Sequence, residues 1–484
     1  MDQMNHKQHS TEVEDVGPKT DNMHTEVDSY VPDTEEEKRL VRKIDLYLLP
    51  TIWIMYLLSY VDRTKLVLPY STRTWIEVLT AYSIGNAKVA GMATDLGLDS
   101  NRYSIVLVVF FVVYVAFGVP YNMVLSRICP SIFLPTIMFL WGVVTIGMGF
   151  APNYKSLIAF RIIVGSLEAG FAPGVLLLLS SWYKRNEQSK RFSIYISAAI
   201  LSGAFGGLIA GGIEGGLDNR MGIAGWRWLF IIEGALSAGW AVIASFILLD
   251  FPANSTRLTE RERELAVQRI LSEGQSVRSE EFPDLTHGEA LTLALKNWRT
   301  WAFTIGYMGI VGSSTLTYFY PTLVKGLGYT SVQAQYMTVP IYAAAFVCTG
   351  ITGYLTDKVI HLRGLIIASW LTVSAICSII ICIMYNFIGR YVLLVLMASG
   401  LWVANALSLS YASSTFGSLP NETKAVCLAI VNSLGNLAQI YGSYLFPSTD
   451  APKYIMGFGV ISGLCSLSVV IIETESEGYL CGRT

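Results

Sequence analysis

Apolar blocks of about 20 residues recur along most of this 484-residue chain, and polar stretches separate them. A helix of that length crosses about 30 Å of hydrocarbon, the core of a lipid bilayer. Only 14% of the residues are charged, against about 25% in soluble proteins, which nearly excludes a soluble globular fold. The pattern predicts an all-α integral membrane protein with twelve transmembrane helices. The blocks lie near 44–62, 103–125, 132–150, 156–180, 192–213, 228–249, 300–322, 334–356, 364–384, 389–412, 425–447 and 453–473.

The twelve predicted spans fall into two sets of six, separated by a polar segment. We expect an N-terminal six-helix bundle over 44–249 and a C-terminal six-helix bundle over 299–473. Residues 250–298 contain LTERERELAVQRILSEG, whose charge pattern is typical of a solvated helix, and should form a central loop. Residues 1–43 form an acidic leader that we expect to be disordered, and 474–484 a short tail.

Lysine and arginine concentrate in the even-numbered connections between the spans and in the central loop. Cytoplasmic loops retain such residues, so both termini and the central loop are expected on the cytoplasmic side. The seven cysteines are scattered without the spacing of a metal site or a disulfide framework. We therefore expect free thiols and no metal.

Two six-helix halves joined by an inner loop are typical of a transporter whose halves rock about a site at the membrane midplane. The sequence has neither a channel filter loop nor an arginine-rich sensor helix. All five histidines fall in tails or loops, so helix positions offer no nucleophile and base pair for an enzyme. We expect a non-enzymatic, monomeric protein of the bilayer that needs no cofactor and binds no nucleic acid.

Two sets of ionisable residues lie within predicted spans, where a charge is costly and is therefore a functional candidate. Asp62 and Arg63 stand in YLLSYVDRT near the outer part of the first span. Arg161 and Glu168 lie seven residues, or two turns, apart in the fourth span and share one face. Arg63 can offer a planar fork to a carboxylate, and Asp62 and Glu168 can carry a proton. Capping of the helix or structural pairing would also explain both sets.

The fifth predicted span carries a GxxxGxxxG stripe at Gly203, Gly207 and Gly211. Small residues at this spacing let helices approach closely, so the stripe predicts helix packing.

The connection between the eighth and ninth spans reads GYLTDKVIHLRG. It supplies Gly353, Asp357, Lys358 and Arg363, whose charges can latch one surface of the protein. We interpret this segment as a conformational latch and not as a substrate site.

Several stretches together resemble fungal members of the major facilitator superfamily, and more narrowly its anion:cation symporters of the allantoate permease type. They are the Asp-Arg of span one, SWYKRNEQSKR, GWRWLFIIEG at 225–234, PTLVKGLGY at 321–329 and DAPKYIMGF at 450–458. IGNAKVAGMATDLGL and AIVNSLGNLAQIYGSYLFP are most similar to the nicotinic acid permease branch. The resemblance covers roughly residues 38–473.

The resemblance implies the major facilitator fold and proton-coupled uptake of a small organic anion, such as nicotinate, allantoate or pantothenate, across the plasma membrane. It makes Arg63 the carboxylate clamp and Asp62 and Glu168 the groups that couple transport to H⁺. One departure is Gly118 in FGVP, where the family usually has an acid. A non-transporting nutrient sensor of the same fold is the alternative, although the short C-terminal tail favours transport.

Aromatic and amide side chains can complete a substrate pocket beside Arg63 and Arg161. A flat ring such as pyridine would stack on tyrosine faces while a cation holds its carboxylate. Each of these residues can equally be a packing residue. The candidates are Tyr60, Tyr318, Tyr320, Asn405, Asn432 and Asn436.

Residues 65–83 interrupt the family pattern, because VDRT is followed by KLVLPYSTRTWIEVLTAYS before IGNAK resumes. The possible codons accommodate a GT splice donor formed by the last base of Lys65 and the first base of Leu66, and a CAG acceptor within Tyr82 and Ser83. Excision would restore one Asn and give VDRTNIGNAK, the sequence typical of the family. We hypothesise that 65–83 is a retained intron; a genuine lineage-specific loop is the alternative.

Overall fold

The computed structural model describes residues 30–64, 92–96, 100–217, 220–275, 285–320, 323–324, 337–442, 445–446, 450 and 453–481. Within these residues the protein is helical and contains no strand. The suspected insertion 65–83 lies outside the described residues. The helices are α1 Glu35–Thr64, α2 Met92–Asp95, α3 Ser100–Leu125, α4 Pro130–Met148, α5 Tyr154–Glu168, α6 Phe171–Trp182, α7 Gln188–Leu217, α8 Gly225–Ser245, α9 Glu260–Leu271, α10 His287–Lys296, α11 Trp298–Ser314, α12 Thr338–Lys358, α13 Arg363–Ile383, α14 Phe387–Thr415, α15 Asn421–Gly435, α16 Ala438–Gly442 and α17 Ile455–Cys481.

Ten candidate membrane spans occur among the described residues, each long and apolar enough to cross a bilayer. One of them, Tyr154–Trp182, comprises α5 and α6. The span is interrupted between α5, which ends at Glu168, and α6, which begins at Phe171. Pro173 contributes to the interruption because it has no N–H to donate to the carbonyl of Ala169. Helices α7 and α11 pack among the ten, so the described bundle contains twelve span-like elements. The predicted all-α membrane fold is confirmed.

The helices form two groups that meet along a seam. Within the first group α4 packs on α8, α1 on α7 and α3 on α5; within the second, α13 packs on α17 and α14, and α12 on α14. Helix α3 meets α15 across the seam, and α7 meets α12 and α14. Gly203 of α7 faces Tyr342 of α12, and a Cβ at Gly203 would lie 2.9 Å from the Tyr342 ring. Gly207 and Gly211 follow on the same helix, and their packing role stays a prediction.

Helix α1 begins at Glu35, which corrects the expected disordered tail 1–43 for residues 35–43. The Thr34 hydroxyl accepts the Glu37 N–H at 3.2 Å, and three acidic residues occupy the first turn, where the helix dipole favours them. The Glu37 carboxylate is buried between Lys184 at 2.6 Å and Arg269 at 3.0 Å. These distant cations hold a segment whose composition alone is typical of disorder.

Helix α9 belongs to the central loop and docks at one end of the bundle, which we call the loop end. Arg269 of α9 pairs with Glu37 and, at 2.6 Å, with Glu187. Lys43 of α1 pairs with Glu262 of α9 at 2.8 Å. Helix α9 is therefore fixed to the first group of helices. At the other terminus α17 continues to Cys481 and so covers most of the expected tail 474–484.

Candidate functional site

Helix α1 brings the two predicted acids into one arrangement. Asp62 is buried, and Ser237 of α8 donates a hydrogen bond of 3.2 Å to its Oδ2. Glu168 is only 1% exposed, and the Ser59 hydroxyl of α1 donates to its Oε1. Ser59 and Asp62 are three residues apart and share one face of α1. The two carboxylates are thus linked to the same turn of α1.

The two predicted cations, Arg161 and Arg63, lie on α5 and α1. Arg161 is buried, and its guanidinium carbon lies 5.8 Å from the centre of the Phe110 ring of α3, within cation–π range. Arg63 follows Asp62 on α1, and its side chain lies outside the described residues.

A further buried acid, Glu233 of α8, was missed as a candidate from the sequence. It precedes Ser237 by one turn and so shares the face that contacts α1. The sequence could have indicated it, because Glu233 is an acid within a predicted span, as Glu168 is.

Tyrosine rings line α1 next to these acids. Tyr60 packs edge-on against Tyr56, with ring centres 4.9 Å apart. Tyr56 stacks on Tyr195 of α7 with ring centres 4.0 Å apart and an interplanar angle of 23°. Tyr56 and Tyr195 were not predicted, because nothing in the sequence indicates which tyrosines of two distant helices meet. Tyr56 and Tyr195 are both buried, so their rings pack against each other in the core of the first group of helices.

The C-terminal candidates divide between two places. Asn432 and Asn436 are buried on α15, and the Asn436 side-chain amide donates to the Asn432 carbonyl at 2.7 Å. Tyr114 of α3 donates to Asn432 Oδ1 at 3.4 Å, so this position joins the two groups of helices. Tyr320 lies on the other side of the C-terminal group, edge-on to Tyr342 at 5.6 Å.

Two further candidates complete the predicted set. Asn405 is buried in α14. Tyr318 is helical, and its side chain lies outside the described residues.

The predicted latch contacts the first turn of α7 across the seam. Asp357 accepts the backbone N–H groups of Ser189 at 2.8 Å and Lys190 at 2.9 Å. Arg363 lies 3.7 Å from Asp357 and donates to the Arg185 carbonyl at 2.8 Å. A carboxylate at a helix N-terminus interacts favourably with the helix dipole.

The other two latch candidates play separate parts. A Cβ at Gly353 would lie 2.6 Å from the Ser193 Cβ of α7, so this glycine permits the close approach. Lys358 lies over the Tyr354 ring at 4.6 Å.

The two groups of helices also meet at Gly118 of α3. A Cβ there would overlap the Ser433 hydroxyl of α15 and lie 2.9 Å from the Ser433 Cβ. The missing acid in FGVP is thus replaced by close helix contact. Among the described residues no cluster of His, Cys, Asp and Glu could hold a metal ion.

Comparison with known proteins supplies the family. The sequence profile of the Major Facilitator Superfamily matches residues 74–443. The MFS transporter prlL of a fungal species is 34% identical over 444 residues, which cover 89% of this chain and 84% of prlL. The high-affinity nicotinic acid transporter of Saccharomyces cerevisiae is 28% identical over 433 residues, covering 89% of this chain and 75% of that one.

A solved structure has the same fold. The proton:xylose symporter XylE superposes with a TM-score of 0.66 at 14% sequence identity, covering 88% of this chain and 95% of XylE. Because the family profile spans more than half of the sequence and a relative above 30% identity aligns along most of it, the chain belongs to the major facilitator superfamily.

Proposed function

We propose that this protein takes up a small organic monoanion together with H⁺ by alternating access across the plasma membrane, with both termini in the cytoplasm. The observation that carries the proposal is the pair of buried carboxylates at α1, Glu168 beside Ser59 and Asp62 beside Ser237. An acid buried within a membrane span is costly and is retained where it has a function. Each can bind a proton on one side of the membrane and release it on the other.

Charge and aromatic surface beside these acids support an anion as the substrate. Arg63 offers a bidentate fork to a carboxylate, and Arg161 supplies a second cation in the same half. The half-buried ring of Tyr60, next to Tyr56 on α1, suits a flat group. The relative named as a nicotinic acid transporter favours nicotinate, and allantoate and pantothenate are monocarboxylates of the same class. We place the protein with the allantoate permease type of symporter.

The latch supports alternating access. Asp357 of α12 ties one half to the first turn of α7 in the other half, and the central loop lies at this same end. We propose that the loop end faces the cytoplasm and is closed in this structure. Release of Asp357 would let the halves separate there, and the anion and proton would leave together.

The proposal is tested by uptake of labelled nicotinate, allantoate and pantothenate in a permease-deficient yeast at acidic external pH. We expect at least one to accumulate against its gradient and a protonophore to abolish the accumulation. Glu168→Gln should lose accumulation while exchange of bound anion persists, because the amide cannot release a proton.

Glu475→Gln is the matched control, because Glu475 is a buried acid of α17 beside Arg299 at 3.8 Å. Retained pH-driven accumulation in Glu168→Gln would remove Glu168 from the coupling. Binding without accumulation in the wild type would instead favour a nutrient sensor.

A further inference from the structure

Lys424 is a fully buried cation at the seam between the two halves. It lies in the first turn of α15, and its side chain is 0% exposed. Its Nζ lies 3.4 Å from the carbonyl oxygen of Ser180 in α6, and this is its hydrogen-bond acceptor within the described residues. A lysine ammonium has three donors and is strongly hydrated, so one long contact to a carbonyl satisfies it poorly.

Two charged residues among the described ones, Arg185 and Glu422, bear on Lys424. Arg185 lies close enough to repel the ammonium electrostatically. Glu422 is buried two residues earlier on the same helix, and residues at that spacing do not face each other. No carboxylate of the described residues lies within 4.0 Å of Lys424 Nζ. Within the described residues, the closed seam thus buries the Lys424 side chain without a carboxylate partner.

A second donor of the same turn, the Asn421 side-chain nitrogen, finds no acceptor among the described residues. Asn421 precedes Lys424 by three residues and lies on the same face of α15. Its Nδ2 is buried, and the described part of the chain offers it no acceptor. Both groups are donors, and they stand at the N-terminus of a 15-residue helix, which itself attracts anions. The arrangement has the chemistry of an anion-binding site.

We propose that Lys424 and Asn421 form an inner anion site that receives the substrate carboxylate when the loop end opens. The inference rests on the proposed anion transport and adds a second site to it. In the closed seam, the Ser180 carbonyl of the opposite half contacts the Lys424 ammonium. When α6 and α15 separate, the ammonium becomes accessible from the loop end. A lysine binds a carboxylate as a point charge, without the bidentate fork of Arg63, so the site holds the anion briefly and releases it.

The test uses labelled nicotinate exchange in right-side-out and inside-out membrane vesicles from yeast expressing the full chain. The variants are Lys424→Gln, which removes the charge, and Lys424→Arg, which keeps it. Lys296→Gln, on the exposed face of α10, is the control. We expect Lys424→Gln to raise the half-saturating nicotinate concentration about tenfold on the loop-end side and to leave the opposite side unchanged. Lys424→Arg should stay within about threefold of the wild type on both sides.

Three results would overturn the inner site. In Lys424→Gln, an unchanged half-saturating nicotinate concentration on the loop-end side would exclude the site, and so would an equal rise on both sides. Shifts of opposite sign on the two sides would also exclude it, because Lys424 would then act on closure alone. These results leave the proposed function intact, since the wild type exchanges nicotinate in all of them. If the wild type exchanges no nicotinate, the proposed function is contradicted for nicotinate, and the inner site is contradicted as well.

Discussion

Glu168 and Asp62 each accept a hydrogen bond from a serine hydroxyl, and this kind of partner suits a group that must change its charge. A hydroxyl can donate to a carboxylate and can also accept from a protonated carboxyl. A lysine or arginine in the same place would favour the ionised acid alone. Each serine hydroxyl can therefore keep a hydrogen bond to its carboxyl group in either protonation state.

Arg63→Lys tests the carboxylate clamp at the same turn of α1. The substitution keeps the positive charge and removes the bidentate fork, so we expect anion binding to weaken by about 1–3 kcal/mol. The measurement is the half-saturating anion concentration for uptake, with surface expression checked in parallel. An unchanged half-saturating concentration would remove Arg63 from the substrate site.

The sequence predicted the acids of this site because a charge within an apolar run is visible locally. Glu233 meets the same criterion and was still omitted. Ser59 and Ser237 could not be predicted, because their importance comes from partners 109 and 175 residues away. A serine in an apolar helix is ordinary until its contact is known.

Helices α3 and α15 approach each other so closely at the seam that one position must lack a side chain. Gly118 of α3 faces Ser433 of α15, and Tyr114 reaches Asn432 about one turn away. Hydropathy located both helices but could not pair them, since each has apolar residues on several faces. The departure from the family pattern at Gly118 was visible in the sequence, and its physical meaning required the neighbouring helix.

Gly118→Ala is predicted to hinder closure of α3 against α15. A new Cβ would overlap the Ser433 hydroxyl, and overpacking of this kind costs about 1–3 kcal/mol in the closed state. We expect the maximal uptake rate to fall several-fold while the protein still reaches the membrane.

Two further variants make the Gly118 prediction specific. Ser433→Gly removes the obstructing atoms, so Gly118→Ala with Ser433→Gly should recover most of the rate. Gly350→Ala in α12 is the matched control, because a Cβ at Gly350 meets no atom within 4 Å. Equal losses in Gly118→Ala and Gly350→Ala would mean that added helix stiffness, and not contact with Ser433, causes the effect.

At the scale of the whole molecule, an acidic segment that sequence composition marks as disordered is part of the folded protein from Glu35 onward. Burial alone would lower the pKa of the Lys184 ammonium, but its hydrogen bonds to Glu37 and Tyr30 outweigh burial and raise that pKa. Arg269 of the central loop reaches the same carboxylate. The net charge of a segment describes that segment in isolation. It does not include Lys184 and Arg269, which lie 147 and 232 residues from Glu37 along the chain.

Glu37→Gln should therefore destabilise the protein, because it leaves Lys184 and Arg269 buried without their shared carboxylate. We expect a loss of about 1–3 kcal/mol and a lower melting temperature for the detergent-purified protein. Glu35→Gln is the control, since Glu35 is exposed and pairs only with Lys38 among the described residues. Equal melting temperatures for Glu37→Gln and the wild type would show that the cluster contributes no stability.

The last prediction concerns residues 65–83, which follow Arg63 almost directly. This stretch would place Pro69, Arg73 and Glu77 in the outer part of the first span, where an unpaired charge and an unsatisfied backbone are expensive. Excising it and restoring one Asn removes 18 codons, or 54 nucleotides, and preserves the reading frame. We expect the dominant transcript to lack these nucleotides, and sequencing of the messenger RNA checks this directly.

We also expect the chain reading VDRTNIGNAK to express and transport better than the chain printed here, whereas deletion of 18 residues from the acidic leader 1–29 should have little effect. A dominant transcript that retains the 54 nucleotides, with a product that transports, would establish instead that this segment belongs to the working protein and that the first span tolerates it beside the carboxylate clamp.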